Sequence, residues 1–216
     1  MEKTLQREDH FRRALLPVRI LYTLGGICVA VLGIYKGSAY QAVNACGTLA
    51  LIPALILLRK WLKIQGGWEL ETHIYLFIFL SWTLGGAAGF YSLIPYFDKA
   101  VHCLSGVFVS MLALGGYRML EPDSRRERKY RPAAYLFVFF ASMATAGIFE
   151  LCEFTLSPIL QMDLQHVLDT GVADTMQDML VCMVGTFFVI LLMVRASCGK
   201  HDPITGAAEA LAEQNS

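Results

Sequence analysis

Residues 174–194 read DTMQDMLVCMVGTFFVILLMV. After Asp178 this stretch carries no charge, and its 21 residues match the length a helix needs to cross the hydrocarbon of a bilayer. Yet two carboxylates, Asp174 and Asp178, stand one helical turn apart at its start. A charge beside hydrocarbon costs kilocalories and is retained for a reason. The apolar run therefore predicts a membrane helix, and the two acids predict that its first turns meet something polar.

Working outward, five further apolar spans precede this one, at about 16–35, 39–58, 73–94, 100–120 and 133–156. The first, LPVRILYTLGGICVAVLGIY, follows a basic segment as a signal peptide would. It is long, however, and ends at Lys36 without a cleavage site of small residues, so it reads as a retained helix. Composition agrees with six spans. Of 216 residues 56% are apolar and only 17% charged, with a mean hydropathy of +0.50. Eighteen basic residues balance eighteen acidic ones, which leaves no basic footprint for nucleic acid. A disordered chain would carry fewer apolar residues and more net charge. A soluble bundle with six such spans would lack polar surface to stay in solution. The expected fold is an all-α integral membrane bundle of six transmembrane helices. Its parts are a cytoplasmic N-terminal segment over 1–15, a transmembrane domain over 16–195 and a tail over 196–216. The tail reads as a mobile polar end.

The basic residues set the orientation. Placed on alternate sides of six spans, one side collects Lys3, Arg7, Arg12, Arg13 and Arg19, then Arg59, Lys60 and Lys63. It also collects Arg118, Arg125, Arg126, Arg128, Lys129 and Arg131, and finally Arg195 and Lys200. The other side holds only Lys36 and Lys99. Basic residues stay in the cytoplasm, so both termini are expected there. The run SRRERKYR at 124–131 fits a positive-inside loop with some affinity for anionic headgroups. Six cysteines, mostly inside spans and never at C-x-x-C spacing, read as small apolar residues.

A subset of the acids does the opposite. Asp98, Glu150, Glu153, Asp163, Asp169, Asp174 and Asp178 all fall on the expected outer half. Asp98 and His102 share a face at the start of the fourth span, Glu150 and Glu153 one at the end of the fifth, and Asp174 and Asp178 one at the start of the sixth. Consecutive helices tend to be neighbours, so these pairs should meet at one level. Gln161, Gln165 and His166 would come from the loop above, and Gln177 from the sixth span. Five close carboxylates with only Lys99 nearby need neutralising. Three remedies are open: a bound divalent cation, a metal-free protonated or hydrogen-bonded cluster, or solvation of helix ends. An oxygen-rich donor set with few histidines suits Mg²⁺, Mn²⁺ or Ca²⁺, and more histidine would suit Zn²⁺ or Fe. The helix dipole accounts for Asp174 and Asp98 near N-termini, but it disfavours Glu150 and Glu153 at a C-terminal end. Gly25-Gly26, Gly85-Gly86, Gly106 and Gly115-Gly116 read as sites of close helix contact.

Asp98-Lys-x-x-His102-x-x-x-Gly106, Glu150-x-x-Glu153 followed by Phe154, and Gly171-x-x-Asp174-Thr-x-x-Asp178 with Gly185 resemble the YjdF-like bacterial inner-membrane proteins. More distantly, the Asp-Lys-x-x-His start is similar to VanZ-like proteins, named for glycopeptide resistance. Val181 and Cys182 stand where that second group carries Asn. The likeness covers mainly residues 95–190 and implies a bacterial inner-membrane location, without a reaction. Three functions are then in play. In the first, Asp98, His102, Glu150, Glu153, Asp174 and Asp178 form a metal-dependent or acid/base site acting on a lipid or cell-envelope precursor. In the second, the cluster only pins helices, as in a scaffold or accessory subunit. In the third, it serves an ion-coupled transporter. The inner halves of spans four to six are nearly all apolar, and no interrupted half-helices repeat at matching positions, which weighs against transport.

Overall fold

A computed structural model describes residues 2–121, 130–165, 167–200 and 202–215, and every regular element among them is helical. Most of the basic loop at 124–131 and His166 therefore lie outside the described residues. Two compact units form, one from residues 1–98 with 206–216, the other from residues 99–205.

The first unit opens with α1 (Glu2–Tyr35), which begins well before the apolar run, and α2 (Ala39–Trp61). Ser38 caps α2 by accepting the Gln41 N–H, and Arg59 and Lys60 suit the negative end of its dipole. Glycine lets these helices close. A methyl at Gly26 would come within 2.7 Å of the Leu49 side chain, and one at Gly33 within 2.8 Å of the Ala42 backbone. The core gathers around Leu15, Tyr22 and Tyr75, with Val18, Leu51, Leu55, Ile78 and Phe79 against it. The Tyr22 hydroxyl, buried among these groups, donates to the Thr48 carbonyl at 2.7 Å and so avoids an unpaired donor.

The expected third span is not one helix. Helix α3 (Trp68–Ile78) runs directly into a π-helical stretch, Phe79–Ala87, where the Thr83 carbonyl accepts the Ala88 N–H five residues on. Gly89, at φ 85°, then turns the chain into the short α4 (Phe90–Leu93). The Tyr91 ring lies over Gly85, where a methyl would come within 2.5 Å of it.

The second unit holds α5 (Phe97–Leu120), α6 (Pro132–Leu160), the single turn α7 (Val167–Thr170) and α8 (Ala173–Ser197). Here α5 and α8 touch backbone to backbone. A methyl on Gly106 would collide with the Cys182 carbonyl, and one on Gly185 with the Cys103 carbonyl. Two glycines thus form a small-residue crossing, the arrangement that suits helices in lipid. The register rises together along both chains, so the two helices run in the same direction. Helix α6 is stitched to α8 by Ser142 and Thr186, whose hydroxyls are 2.7 Å apart. At the far end the guanidinium of buried Arg118 sits 4.5 Å from the Tyr130 ring, and Ser197 takes the Tyr130 N–H.

By length and apolarity four helical stretches can cross a membrane: Glu8–Tyr35, Phe97–Leu120, Pro132–Ile159 and Ala173–Ser197. They coincide with the expected first, fourth, fifth and sixth spans. The tail departs from expectation, since residues 203–214 form α9. Asp202 caps it by accepting the Ile204 and Thr205 N–H groups, with Pro203 at the first helical position. Ala207, Ala208, Ala210, Leu211 and Ala212 are buried, so this end is ordered by packing. Asn215 clasps Gln65 through both its backbone groups. Gly66 and Gly67, at φ 60° and 67°, lie against the side chains of Gln214 and Leu211.

Candidate functional site

The N-terminal ends of α5 and α8 carry the polar residues, and the glycine crossing sets their register. Counting back from Cys103 and Cys182 by one turn reaches Lys99 and Asp178. The ammonium of Lys99 donates to Asp174 at 2.5 Å and to Asp178 at 2.8 Å. Asp178 is only 3% exposed, while Asp174 and Lys99 are partly covered. Lys99 therefore bridges the two acids with which the sixth span begins and offsets one of their two charges.

Asp98 stands one residue before Lys99 on the same continuous helix, and His102 one turn after Asp98. The His102 Nε2 lies 3.9 Å from Asp178 Oδ1. Asp98, His102 and Asp178 each offer a ligand atom within 4.8 Å of the others. Two ligands on opposite sides of one ion lie about 4.2 Å apart at a bond length of about 2.1 Å and about 4.8 Å apart at about 2.4 Å, so the three atoms stand at the outer limit of what a single large oxygen-seeking ion spans. The His102 ring meets Phe149 of α6 edge-on, with centroids 5.7 Å apart, which steadies the imidazole.

Glu150 belongs to a second group. It is buried, and the Gln165 amide donates to both its carboxylate and its backbone carbonyl at 3.2 Å. The same amide donates to Thr175 at 3.1 Å. A residue of the α6–α7 loop thereby ties α6 to the first turn of α8. These three residues border an apolar groove of about 700 Å³, otherwise lined by Ile148, Leu151, Phe154, Val172 and Met179 among others. Groove and triad share α8, where Asp178 of the triad directly precedes Met179 of the groove lining.

Of the remaining candidates, Glu153 is half-buried, and its carbonyl accepts the Ser157 hydroxyl at 2.8 Å. Gln161 and Gln177 are exposed. Asp163 caps α7, accepting the Val167 and Leu168 N–H groups at 2.9 Å, and Asp169 is exposed. Sequence reasoning counted Lys99 as a lone bystander and gave Gln165 no partner. Only the register of the glycine crossing tells that Lys99 faces two acids of a distant helix. In chemical terms the cluster combines an acid pair bridged by one ammonium, three converging ligand atoms and a neighbouring apolar groove.

A family described as "predicted membrane protein (DUF2238)" matches residues 17–198. The chain belongs to this family. The match to DUF2238 takes in α2 to α8 entire and every candidate residue of the cluster. Its description names a membrane protein and carries neither the YjdF-like nor the VanZ-like name. No curated protein and no solved structure matches the chain.

Proposed function

We propose that this DUF2238 protein is a bacterial inner-membrane enzyme acting on the headgroup of a lipid or envelope precursor at the extracytoplasmic face. The supporting observation is the adjacency of the Asp98–His102–Asp178 triad to an apolar groove floored by Glu150 and Gln165. In this reading the triad holds a divalent cation through three ligands and leaves positions open for a headgroup oxygen or water. Lys99 holds Asp178 and Asp174 in place, and Glu150 is the group available for proton transfer beside the groove. A hydrocarbon chain would lie along Ile148, Leu151 and Phe154. The topology that goes with it has both termini in the cytoplasm, with α2 and the π-interrupted α3 segment as two further crossings.

Elemental analysis of the purified full chain tests this. One equivalent of a divalent metal is expected in the wild type. Asp98→Asn and Asp178→Asn should lose it, and Glu150→Gln should keep it while remaining inserted. No stoichiometric metal after reconstitution with Mg²⁺, Mn²⁺ and Zn²⁺ overturns the metal-bound version. The double ion pair of Lys99 supports a second reading, a metal-free network that pins α5 to α8 in an accessory protein. That reading expects no metal and a large loss of stability when Lys99 is removed.

A further inference from the structure

The first unit contains an open cavity of about 1050 Å³ where α1, the end of α2 and the start of α3 meet. Five cations line it, Arg12, Arg19, Arg59, Lys60 and Lys63, against two acids, Glu8 and Asp9. The buried charges are already committed. Glu8 accepts the Trp68 N–H at 2.9 Å, and Glu71 sits between Arg19 and Arg59. Arg59 also donates to the Gly66 carbonyl at 2.7 Å, and its guanidinium lies 4.3 Å from the Trp68 ring centroid. Arg12, Lys60 and Lys63 are exposed, and none has a carboxylate partner among the described residues. The Arg12 guanidinium also lies over the Trp68 ring, at 5.8 Å from its centroid.

Topology alone accounts for basic residues near this end, since positive charge is retained on the cytoplasmic side. It accounts for their number and not for their convergence. Arg12 and Arg19 lie two turns apart on one face of α1, and the lysines arrive some forty residues later, yet all line one cavity around an indole. Like charges brought together repel unless an anion joins them. Fixed planar guanidinium groups suit the several oxygens of a phosphate, which they can bind in pairs, and lysine supplies mobile point charge at the rim.

We propose that this cleft binds a phosphate-bearing anion, held by Arg12, Lys60 and Lys63 over a floor of Arg19, Arg59 and Trp68. The source is either the headgroup of an anionic lipid or a soluble phosphate compound. The cleft is independent of the triad on α5 and α8, so either proposal stands or falls alone.

The test uses the full chain in a non-ionic detergent. One arm titrates pyrophosphate by calorimetry, and the other scores retention of phosphatidylglycerol against phosphatidylcholine by native mass spectrometry. Two triple variants are compared with wild type. Arg12→Gln/Lys60→Gln/Lys63→Gln strips the rim, and Lys36→Gln/Arg195→Gln/Lys200→Gln removes equal charge elsewhere. Saturable binding in one arm or both is expected, weakening with salt. The rim variant should bind at least about tenfold more weakly and the control as wild type. Pyrophosphate binding without lipid preference identifies a soluble ligand, and lipid retention alone identifies a headgroup. If the rim variant does not fold, Lys63→Gln alone, outside any helix, should weaken binding about fivefold. Absence of saturable binding in both arms overturns the proposal. So does a rim or single variant that binds like wild type, or an equal loss in both triple variants.

Discussion

Lys99 is the residue on which the second unit's polar end turns. It holds two carboxylates of α8 at 2.5 and 2.8 Å from a single ammonium. Removing one partner of a buried ion pair leaves the other charge uncompensated, and here two would be left. Lys99→Met should therefore destabilise the protein by on the order of 3 kcal/mol, measured as a fall in thermal midpoint in detergent. Adding Asp174→Asn and Asp178→Asn to that variant should recover much of the loss, because the acids no longer face each other ionised. If the triple variant is no more stable than Lys99→Met, electrostatics is not the cause. At this scale the sequence is a partial guide. Asp98, His102 and Asp178 stand out because acids and imidazoles are costly beside hydrocarbon. Their neighbours Lys99 and Gln165 do not, since a lysine beside an aspartate and a glutamine in a loop are ordinary until the partner helix is placed. Asp163 shows the converse: it stands out among the acids, and it caps a turn.

Among the elements, the crossing of α5 and α8 is the tightest contact in the second unit. Gly106→Val and Gly185→Val should each part the helices and lower stability by roughly 3 kcal/mol, the range for overpacking a closed contact. Gly147→Ala is the control, since a methyl there meets nothing within 4 Å. It should be neutral or stabilise by up to about 1 kcal/mol through helix propensity. Equal thermal midpoints for the three variants would remove the crossing from the account of the site. Four long helices were legible as apolar runs because hydrophobic length is a non-directional signal that survives without tertiary knowledge. The π stretch was not, because nothing in the apolar run 73–94 distinguishes a five-residue hydrogen-bond step from a four-residue one. Helix α9 carries local signals of its own, the Asp202-Pro203 start and an alanine-rich body, beneath the polarity of the tail.

For the whole molecule, the number of crossing elements distinguishes two arrangements. Four stretches satisfy length and apolarity, and the six-span arrangement adds α2 and the α3 segment. The two arrangements put the α2–α3 turn on opposite sides of the membrane while leaving both termini together. In a chain without its native cysteines, Lys36→Cys should react with a membrane-impermeant thiol reagent in intact cells. Gln65→Cys should react only after lysis. Labelling of Gln65→Cys from outside would reduce the crossings to four and expose the basic cleft to the envelope. The charge asymmetry argues for the cytoplasm, because sixteen of the eighteen basic residues fall on one side only when six spans are counted.

The paired glycines also bear on the order in which the protein is made. Helices enter a bilayer one after another and associate afterwards. Helix α5 leaves the ribosome some seventy-five residues before α8, so Lys99 and His102 wait in the membrane without Asp174 and Asp178 while α6 is inserted. The polar cluster exists only once Gly185 has docked on Gly106. Its assembly is thus one of the last events of biogenesis, and a chain stopped short of α8 would occupy the membrane without the two acids that bridge to Lys99.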